Sequence, residues 1–239
     1  MTSTPAYPDA RRPDAGTVLV SPWIVPTPGL QRRAADAVIH AWEQQARPAA
    51  MLSLSTFLSD DGSHVLNYAQ WTDDDAHREW VRHQRPAAIS RIDESIPGIR
   101  RPGVTRYARY RSYAPEGTPG RRPALLVTPT FATAGPAAQR ALADTVLDAL
   151  ERAAAPGLLG AHLHLSKDGG RVLNYAEWEG FDAWRAFVAG GAADRLRAAA
   201  EGVAGVTALA ALAAAPAFPV QSSVPHYRLH RSLVNVPAP

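Results

Sequence analysis

The sequence predicts an α+β fold made of two ferredoxin-like units. The segment Val65–Trp71 (VLNYAQW) returns 107 residues later as Val172–Trp178 (VLNYAEW), with six of seven residues identical. A repeat of this length encodes two copies of a small domain and not a solenoid. Both copies also alternate strand and helix patterns in the order β-α-β-β-α-β, which is typical of the ferredoxin-like fold. We therefore expect two such units, at 17–113 and 124–234, packed within the chain as an intramolecular dimeric α+β barrel.

Each element of the first copy follows from a local pattern. Residues 17–24 form a β-branched run that ends before Pro26, and residues 30–47 carry apolar side chains at helical spacing. Residues 50–58 and 64–71 predict two strands joined by a short loop that contains Gly62. Thr72 and the three aspartates after it are typical of a helix start. A further helical stretch at 87–95 and a last strand at 104–113 complete the unit.

The second copy repeats this order, but its last segment matches the first copy at an offset of 120 instead of 107. An insertion near 204–220 accounts for the difference. Residues 114–123 are rich in proline and glycine and have no apolar periodicity, which indicates a linker. Residues 1–16 have no apolar core of the kind a secretory signal needs, so we expect a disordered N-terminal tail.

The composition narrows the class of protein. The chain of 239 residues is 46% apolar, has no cysteine and carries a net charge of +3. These values exclude disulfides and thiolate chemistry, and they do not favour a polyanionic partner. There is no long uncharged apolar run and no glycine-rich nucleotide loop after a strand. We expect a cytoplasmic protein without a membrane segment and without a tightly bound cofactor.

The repeated strand presents hydrogen-bonding groups beside an aromatic surface. Alternate residues of a strand share a face, so Asn67 and Trp71 point to one side and Tyr68 to the other. A carboxamide and an indole N–H on one wall suit a planar aromatic ligand that bears carbonyl or phenolate oxygens. Asn174 and Trp178 repeat the pair. The alternative is that the tryptophan belongs to the core and the asparagine is a satisfied buried amide.

The Asn-Tyr-Ala-x-Trp strand, followed by an acidic helix start, resembles the antibiotic biosynthesis monooxygenase family in both copies. The resemblance implies dimeric α+β barrels that oxidise aromatic polyketides with molecular oxygen. The anthrone oxygenases among them use no metal or prosthetic group, whereas some fused two-copy relatives of angucycline pathways open a ring with reduced flavin. Heme-degrading relatives need a histidine in the second helix, where this chain has Val81, so heme degradation is disfavoured.

The resemblance also implies roles for particular residues. Asn67 and Trp71 would face the substrate, Arg91 would assist, and His77 replaces a family tyrosine as the candidate base. The second copy has Trp184 in place of His77 and Ala198, beside Arg197, in place of Arg91. We therefore expect the first copy to be catalytic, with substrate-binding residues at Tyr68, Asn174, Trp178 and Trp184. For His77 and Arg91, a solvated helix face is the alternative.

The expected activity is metal-free oxidation of an aromatic polyketide, either ring opening of the angucycline type or hydroxylation of the anthrone type. Reduced flavin (FADH2 or FMNH2), supplied by a flavin reductase, is the candidate diffusible cosubstrate, and a homodimer is a candidate assembly. The alternative function is a polyketide cyclase or a ligand-binding protein on the same fold.

Two other patterns are weaker. Four histidines of the second copy could bind a metal, but no carboxylate joins them at a telling spacing. They are His162, His164, His226 and His230. Aromatic and basic residues alternate from Tyr107 to Tyr113, yet the sequence pattern of RNA-binding sheets is absent. We expect neither a metal nor a nucleic acid.

Overall fold

The computed structural model describes residues 2–44, 48–83, 90, 92–118, 120–153, 155–209 and 224–235. In chain order the strands are β1 (Thr2–Thr4), β2 (Thr17–Ile24), β3 (Met51–Ser59), β4 (His64–Trp71), β5 (Thr105–Tyr113), β6 (Leu125–Val127), β7 (Thr130–Thr133), β8 (Leu158–Ser166), β9 (Arg171–Trp178), β10 (Val206–Leu209) and β11 (His226–Val234). The helices are α1 (Pro28–Glu43), α2 (Asp74–His83), α3 (Pro136–Arg152), α4 (Phe181–Ala189) and α5 (Ala192–Glu201).

The fold is mixed α+β, as the sequence predicts, and it divides into two compact units. The first comprises residues 1–106 and 227–239, and the second comprises residues 107–226. The predicted boundaries, 17–113 and 124–234, follow the sequence copies and differ from these units at one strand each. Strand β5 pairs with β8 and belongs to the second unit from Tyr107 onward, and β11 pairs with β3 in the first unit. Barrel packing of the two sheets stays a prediction.

The sheet of the first unit is antiparallel, with the strand order β1-β11-β3-β4-β2. Strand β4 lies in the middle, where Ser21 of β2 and Thr56 of β3 stand on either side of Asn67. Trp71 lies opposite Thr17 and Met51 at the end of the strand. Because directly opposed residues share a face, Asn67 and Trp71 point to the side covered by helices.

Helix α1 covers this face of the first sheet and is tied to the following hairpin. Its buried stripe includes Ala34, Ala35 and Val38, which pack with Trp71 in one core. The Nε2 group of Gln31 lies 2.9 Å from the carbonyl oxygen of Ser59 and 2.7 Å from that of His64. One amide therefore satisfies the backbone at both ends of the β3–β4 turn.

The second unit repeats this construction with the strand order β5-β8-β9-β7-β10, and β6 also pairs with β9. Gln139 of α3 bonds to the carbonyl oxygens of Ser166 and Arg171 at 2.9 and 2.8 Å. Trp178 lies opposite Leu125, whereas Trp71 lies opposite Thr17. The first strands therefore correspond at an offset of 108, one more than the offset of the hairpins.

The prediction of a disordered N-terminal tail is wrong for residues 2–16. Strand β1 pairs with β11, and Ala10 is buried. The amide of Gln70 donates to the carbonyl oxygen of Asp9 at 2.8 Å, and the ring of Tyr7 packs edge-on against Phe57. Backbone pairing and a few buried contacts order a segment whose composition alone is typical of disorder.

Most predicted helices and strands agree with the structure to within a few residues. Helix α1 ends earlier than predicted, at Glu43, and α2 ends at His83 as predicted. Of the predicted helical stretch at 87–95, residues 90 and 92–95 are helical as predicted, and residues 87–89 and 91 lie outside the described residues. Of the predicted insertion at 204–220, residues 206–209 form β10, which pairs with β7, and the part from 210 onward is also outside them.

Candidate functional site

Asn67 and Trp71 lie on the helix-covered face of the first sheet, and each has a buried polar atom without a partner. The amide nitrogen of Asn67 lies 3.4 Å from the carbonyl oxygen of Ser21, but its Oδ1 has no hydrogen bond among the described residues. Trp71 is fully buried, and its Nε1 is likewise unpaired there. This surface of β4, here called the Asn67–Trp71 wall, thus offers one acceptor and one donor. The two residues are separated by four residues of strand, or about 13 Å along the backbone.

His77 closes the Trp71 end of this wall from helix α2. Its ring lies edge-on to the Trp71 ring at 5.0 Å, and the side chain is only 7% exposed. The alternative of a solvated helix face is therefore wrong for His77. The Nη2 group of Arg106, at the start of β5, lies 3.1 Å from Nδ1 of His77. Because arginine only donates, Nδ1 must accept, and the proton of the neutral ring is placed on Nε2.

Two further tryptophans extend the aromatic wall in the first unit. Trp80 lies 6.0 Å from Trp71 between ring centres and stacks on Trp42 at 4.4 Å. Trp80 is nearly buried, and its Nε1 also lacks a partner among the described residues. Tyr68, predicted to bind substrate, is buried on the opposite face of β4, because it alternates with Asn67 and Ala69. Arg91 lies outside the described residues.

The second unit carries the same unpaired atoms. Oδ1 of Asn174 and Nε1 of Trp178 are buried without a partner among the described residues. Asn174 is 8% exposed and Trp178 is 1% exposed, close to the values of 7% and 0% for Asn67 and Trp71. The repeat therefore preserves both the residues and their unsatisfied state.

Aromatic rings surround Trp178 in the second unit. At the corresponding place in the first unit, a histidine contacts an arginine instead. Trp184 lies 5.3 Å from Trp178, and Phe187 lies 5.1 Å from it. His226 packs edge-on against Trp184 at 5.7 Å. Arg197, next to the position that corresponds to Arg91, is exposed and pairs with Asp194 at 2.8 Å on the same helix. Trp184 therefore lies against Trp178, its role in substrate binding stays a prediction, and Arg197 forms an exposed ion pair.

The four histidines of the second copy do not converge. His226 packs on Trp184, and His230 bonds to Asp36 at 2.7 Å in the first unit. His162 and His164 lie on the face of β8 opposite the site. The part of the chain that the structure describes holds no group of three or more histidine or acidic side chains arranged for a metal.

His162 and His164 instead form a buried polar cluster. Nδ1 of His162 lies 2.8 Å from the Ser112 hydroxyl, and its Nε2 lies 3.5 Å from a carboxylate oxygen of Glu177. Nδ1 of His164 lies 2.8 Å from the carbonyl oxygen of His162. Burial lowers the pKa of His164 to about 3, against its ordinary value of 6.5. His164 is therefore neutral at physiological pH.

The unpaired atoms are costly for the protein unless a ligand or water meets them. Leaving a buried donor or acceptor unsatisfied typically costs about 1–3 kcal/mol per group. Native proteins hold few such groups, and each one calls for an explanation. Here an acceptor and a donor recur at the same strand positions in two units. An arrangement kept twice at this cost is a candidate binding surface for a flat molecule with polar edges.

Arg106 is the site residue that sequence analysis missed. It follows Trp71 by 35 positions and lies on another strand, so local spacing gives no sign of it. A signal does exist in the repeat, because His77 corresponds to Trp184 and Arg106 corresponds to His226 at the later offset. Two residues that touch in one unit are both replaced by residues that touch in the other.

The fold is shared with solved structures of monooxygenase-like proteins. The chain superposes on an anthrone oxidase-like protein with a TM-score of 0.68 at 14% identity, covering 94% of both chains. A proposed monooxygenase from Fusobacterium nucleatum subsp. nucleatum gives 0.52 at 10% identity, covering 90% of this chain and 92% of that one. A proposed monooxygenase from Lactobacillus acidophilus gives 0.50 at 10% identity, covering 92% of this chain and all of the other. At these identities the likeness shows the fold alone.

One stretch of the sequence also matches a family model. Residues 130–206 match the model of the antibiotic biosynthesis monooxygenase family, a stretch within the second unit that includes Asn174, Trp178 and Trp184. The fold is the α+β fold of those solved monooxygenase-like proteins. The match covers less than half of the chain, so it places this stretch of the second unit in the antibiotic biosynthesis monooxygenase family. No curated protein matches it in sequence. Within the described residues no helix is long and apolar enough to cross a membrane.

Proposed function

We propose that this protein is an oxygenase that acts on a phenolic aromatic polyketide, bound between helices and sheet against the Asn67–Trp71 wall. The observation that carries the proposal is the recurrence of an unpaired buried acceptor and donor beside stacked aromatic rings in both units. A flat phenol meets both needs, because its rings cover the tryptophans while its oxygens reach the polar atoms. The name of the structurally similar anthrone oxidase-like protein is in keeping with such a substrate.

The chemistry needs little from the protein beyond binding and charge stabilisation. A deprotonated phenol is electron-rich and can pass an electron to molecular oxygen. For an anthrone, the ring CH2 becomes a carbonyl, one oxygen atom enters the product, and the other leaves as water. For ring opening, reduced flavin supplies the two electrons that the second oxygen atom takes up to form water. The protein's part is to aim donors at the oxyanion in a dry site.

We assign catalysis to the first unit. There the His77 ring packs against Trp71 and Arg106 contacts His77, whereas Trp184 and His226 occupy these places in the second unit. Among the described residues, only the first unit therefore places a permanently charged donor beside the ring that packs against the indole. In this arrangement the Nδ1 lone pair of His77 is engaged by Arg106, so His77 is better placed to orient a ligand than to act as the base that its sequence position suggests.

Oxygen consumption tests the proposal. Purified protein is mixed with a phenolic tricycle, 1,8-dihydroxyanthrone, in an oxygen electrode with chelator present, and reduced flavin with a flavin reductase is added in a second run. We expect oxygen uptake above the spontaneous rate and one oxidised product. Oxygen uptake without flavin would identify a reaction of the anthrone-oxygenase type. Uptake only with flavin would identify a flavin-dependent reaction.

Two outcomes contradict the proposal. Loss of activity on adding chelator, with recovery on adding metal, would overturn the metal-free mechanism. Tight binding of the phenol without oxygen uptake in either run, but with a cyclised product from a linear polyketide, would establish a cyclase instead.

A further inference from the structure

We propose that Arg106, held by His77, makes the first unit selective for the ionised form of its ligand, so that a phenolate or enolate oxygen binds at the Trp71 end of the wall. This inference rests on the proposed function, since it specifies the charge and orientation of the ligand in the same site. It assigns Arg106 an anion-binding role and His77 a positioning role.

Arg106 is a cation without an anionic partner in the described part of the chain. That part contains all 22 acidic residues, and Arg106 forms no ion pair with any of them. Arg106 is partly buried, and its contact is the neutral Nδ1 of His77 at 3.1 Å. Most arginines here that contact the protein through their guanidinium do so with carboxylates, for example Arg111 with Asp144 and Arg121 with Glu179. A partly desolvated guanidinium without a counter-ion attracts an anion.

The polar atoms of the first unit are divided by type along the strand. The Trp71 end gathers donors, namely the unpaired indole N–H and the guanidinium that meets His77. The Asn67 end offers an unpaired acceptor, Oδ1. A ligand that satisfies both ends carries a negatively charged oxygen at one edge and a hydroxyl group at the other. Hydroxylated polycyclic phenols of roughly three or four rings have this pattern at about the required distance.

The second unit serves as an internal comparison. There the places of His77 and Arg106 are taken by Trp184 and His226, which touch each other through their rings. Asn174 and Trp178 keep the unpaired acceptor and donor. The second unit therefore has the same wall without the guanidinium, and it is expected to take the neutral phenol.

The test measures the ionisation of a bound probe. The probe is 2-hydroxyanthraquinone, whose neutral and ionised forms absorb at different wavelengths, and the background is Asn174→Ala, so that the signal reports on the first unit. An adjacent arginine typically lowers the pKa of an acid by about 1 to 3 units, so the bound probe should ionise at least about tenfold more readily than the free probe. Arg106→Gln should remove most of this effect, and Arg106→Lys should restore most of it.

Two variants control for indirect effects. The double variant His77→Trp with Arg106→His gives the first unit the residues of the second, and the bound probe should then ionise no more readily than the free probe. His226→Gln in the second unit should leave the probe titration of the first unit unchanged. Circular dichroism checks that each variant keeps its fold. Arg106→Met takes the place of Arg106→Gln if that variant does not fold.

The outcomes separate this inference from the proposed function. A bound probe with the same titration midpoint in wild type and in folded Arg106→Gln would overturn the inference while leaving an oxygenase in place. A probe stabilised as phenolate by Arg106, in a protein that never consumes oxygen, would support the inference and contradict the oxygenase. Failure of the wild type to bind any phenolic tricycle would overturn both.

Discussion

Asn67 and Trp71 were identifiable from the sequence because strand alternation and the repeat both act on neighbouring residues. Oδ1 of Asn67 and Nε1 of Trp71 are buried without partners among the described residues, which no local pattern reveals, since hydrogen bonding depends on the groups that approach from other elements. Arg106 reaches His77 from the start of β5. The sequence marks it only through the repeat, because the second copy replaces both residues of the contacting pair. Tyr68 was predicted in the site although the same alternation places it on the opposite face.

His164 provides a residue-scale prediction about pH. Its pKa lies near 3 in the folded protein and near 6.5 in the unfolded chain, mainly because burial disfavours the charged ring. The unfolded chain therefore binds the proton first, and the contribution of His164 to stability is complete above pH 6.5 and decreases as the pH falls toward 3. The slope from this one group approaches about 1.4 kcal/mol per pH unit.

His164→Phe tests this, because Phe57 stands at the corresponding position of the first copy. We expect the variant to lose up to about 1–3 kcal/mol at pH 7.5 from the lost hydrogen bond to His162, and to show a flatter pH dependence below 6.5. Urea unfolding at pH 7.5 and pH 5 measures both. An equal loss of stability on acidification in wild type and variant would refute the assignment.

At the scale of elements, both helices and hairpins were predictable because periodicity and turn residues are local. The correspondence between the first strands of the two copies was not predictable. Ser21-Pro22 and Thr128-Pro129 match in sequence at an offset of 107, whereas pairing with β4 and β9 gives an offset of 108. Gln31 and Gln139 obey the structural offset and make the same bonds. The glutamine contacts and the strand pairing thus agree on an offset of 108, which sequence identity in the first strands does not show.

Gly157, where the chain enters β8, yields an element-scale prediction. Its φ is +83°, and an added Cβ would lie 2.4 Å from the Cβ of Ala183 in α4. Gly117 has a similar φ of +75° but open space around it. Gly157→Ala should therefore be less stable than Gly117→Ala by about 1–3 kcal/mol, since only the first adds a clash to the shared backbone strain.

Thermal or urea unfolding of the two glycine variants gives this difference directly. Because α4 also carries Trp184, the near-ultraviolet circular dichroism of Gly157→Ala should change as well. Equal stabilities of the two variants would mean that α4 can move away from β8 at no cost.

At the scale of the whole molecule, the repeat reveals two copies but not the compact units. The last strand of each copy is counted with the other unit, because β11 pairs along β3 and β5 pairs along β8. A repeat in sequence shows which segments are alike, whereas the grouping of a terminal strand depends on the sheet edges available to it. The ordered tail, which pairs with β11, escaped prediction for the same reason.

Removal of β11 tests this grouping. In a chain that stops after residue 223, β3 loses its partner from Tyr227 to Val234, and buried Tyr227 and Leu233 are removed from the first unit. We expect backbone amides of Ser53–Ser59 to lose protection in hydrogen exchange, while Arg171–Trp178 in the second unit keeps more of it. Removal of residues 236–239 alone is the control. Unchanged protection of β3 after the longer truncation would show that β11 does not support it.

Matched variants in oxygen uptake test most directly whether the Asn67–Trp71 wall is the catalytic surface. Asn67→Ala and Trp71→Phe are compared with Asn174→Ala and Trp178→Phe, using 1,8-dihydroxyanthrone under the conditions in which the wild type consumes oxygen. Loss of one preorganised donor to a developing oxyanion costs about two to three orders of magnitude in rate. We predict a loss of this size for Trp71→Phe, a clear loss for Asn67→Ala, and rates within a few-fold of wild type for the second-unit pair. The reverse ranking, or no effect of any of the four in folded protein, would contradict the claim.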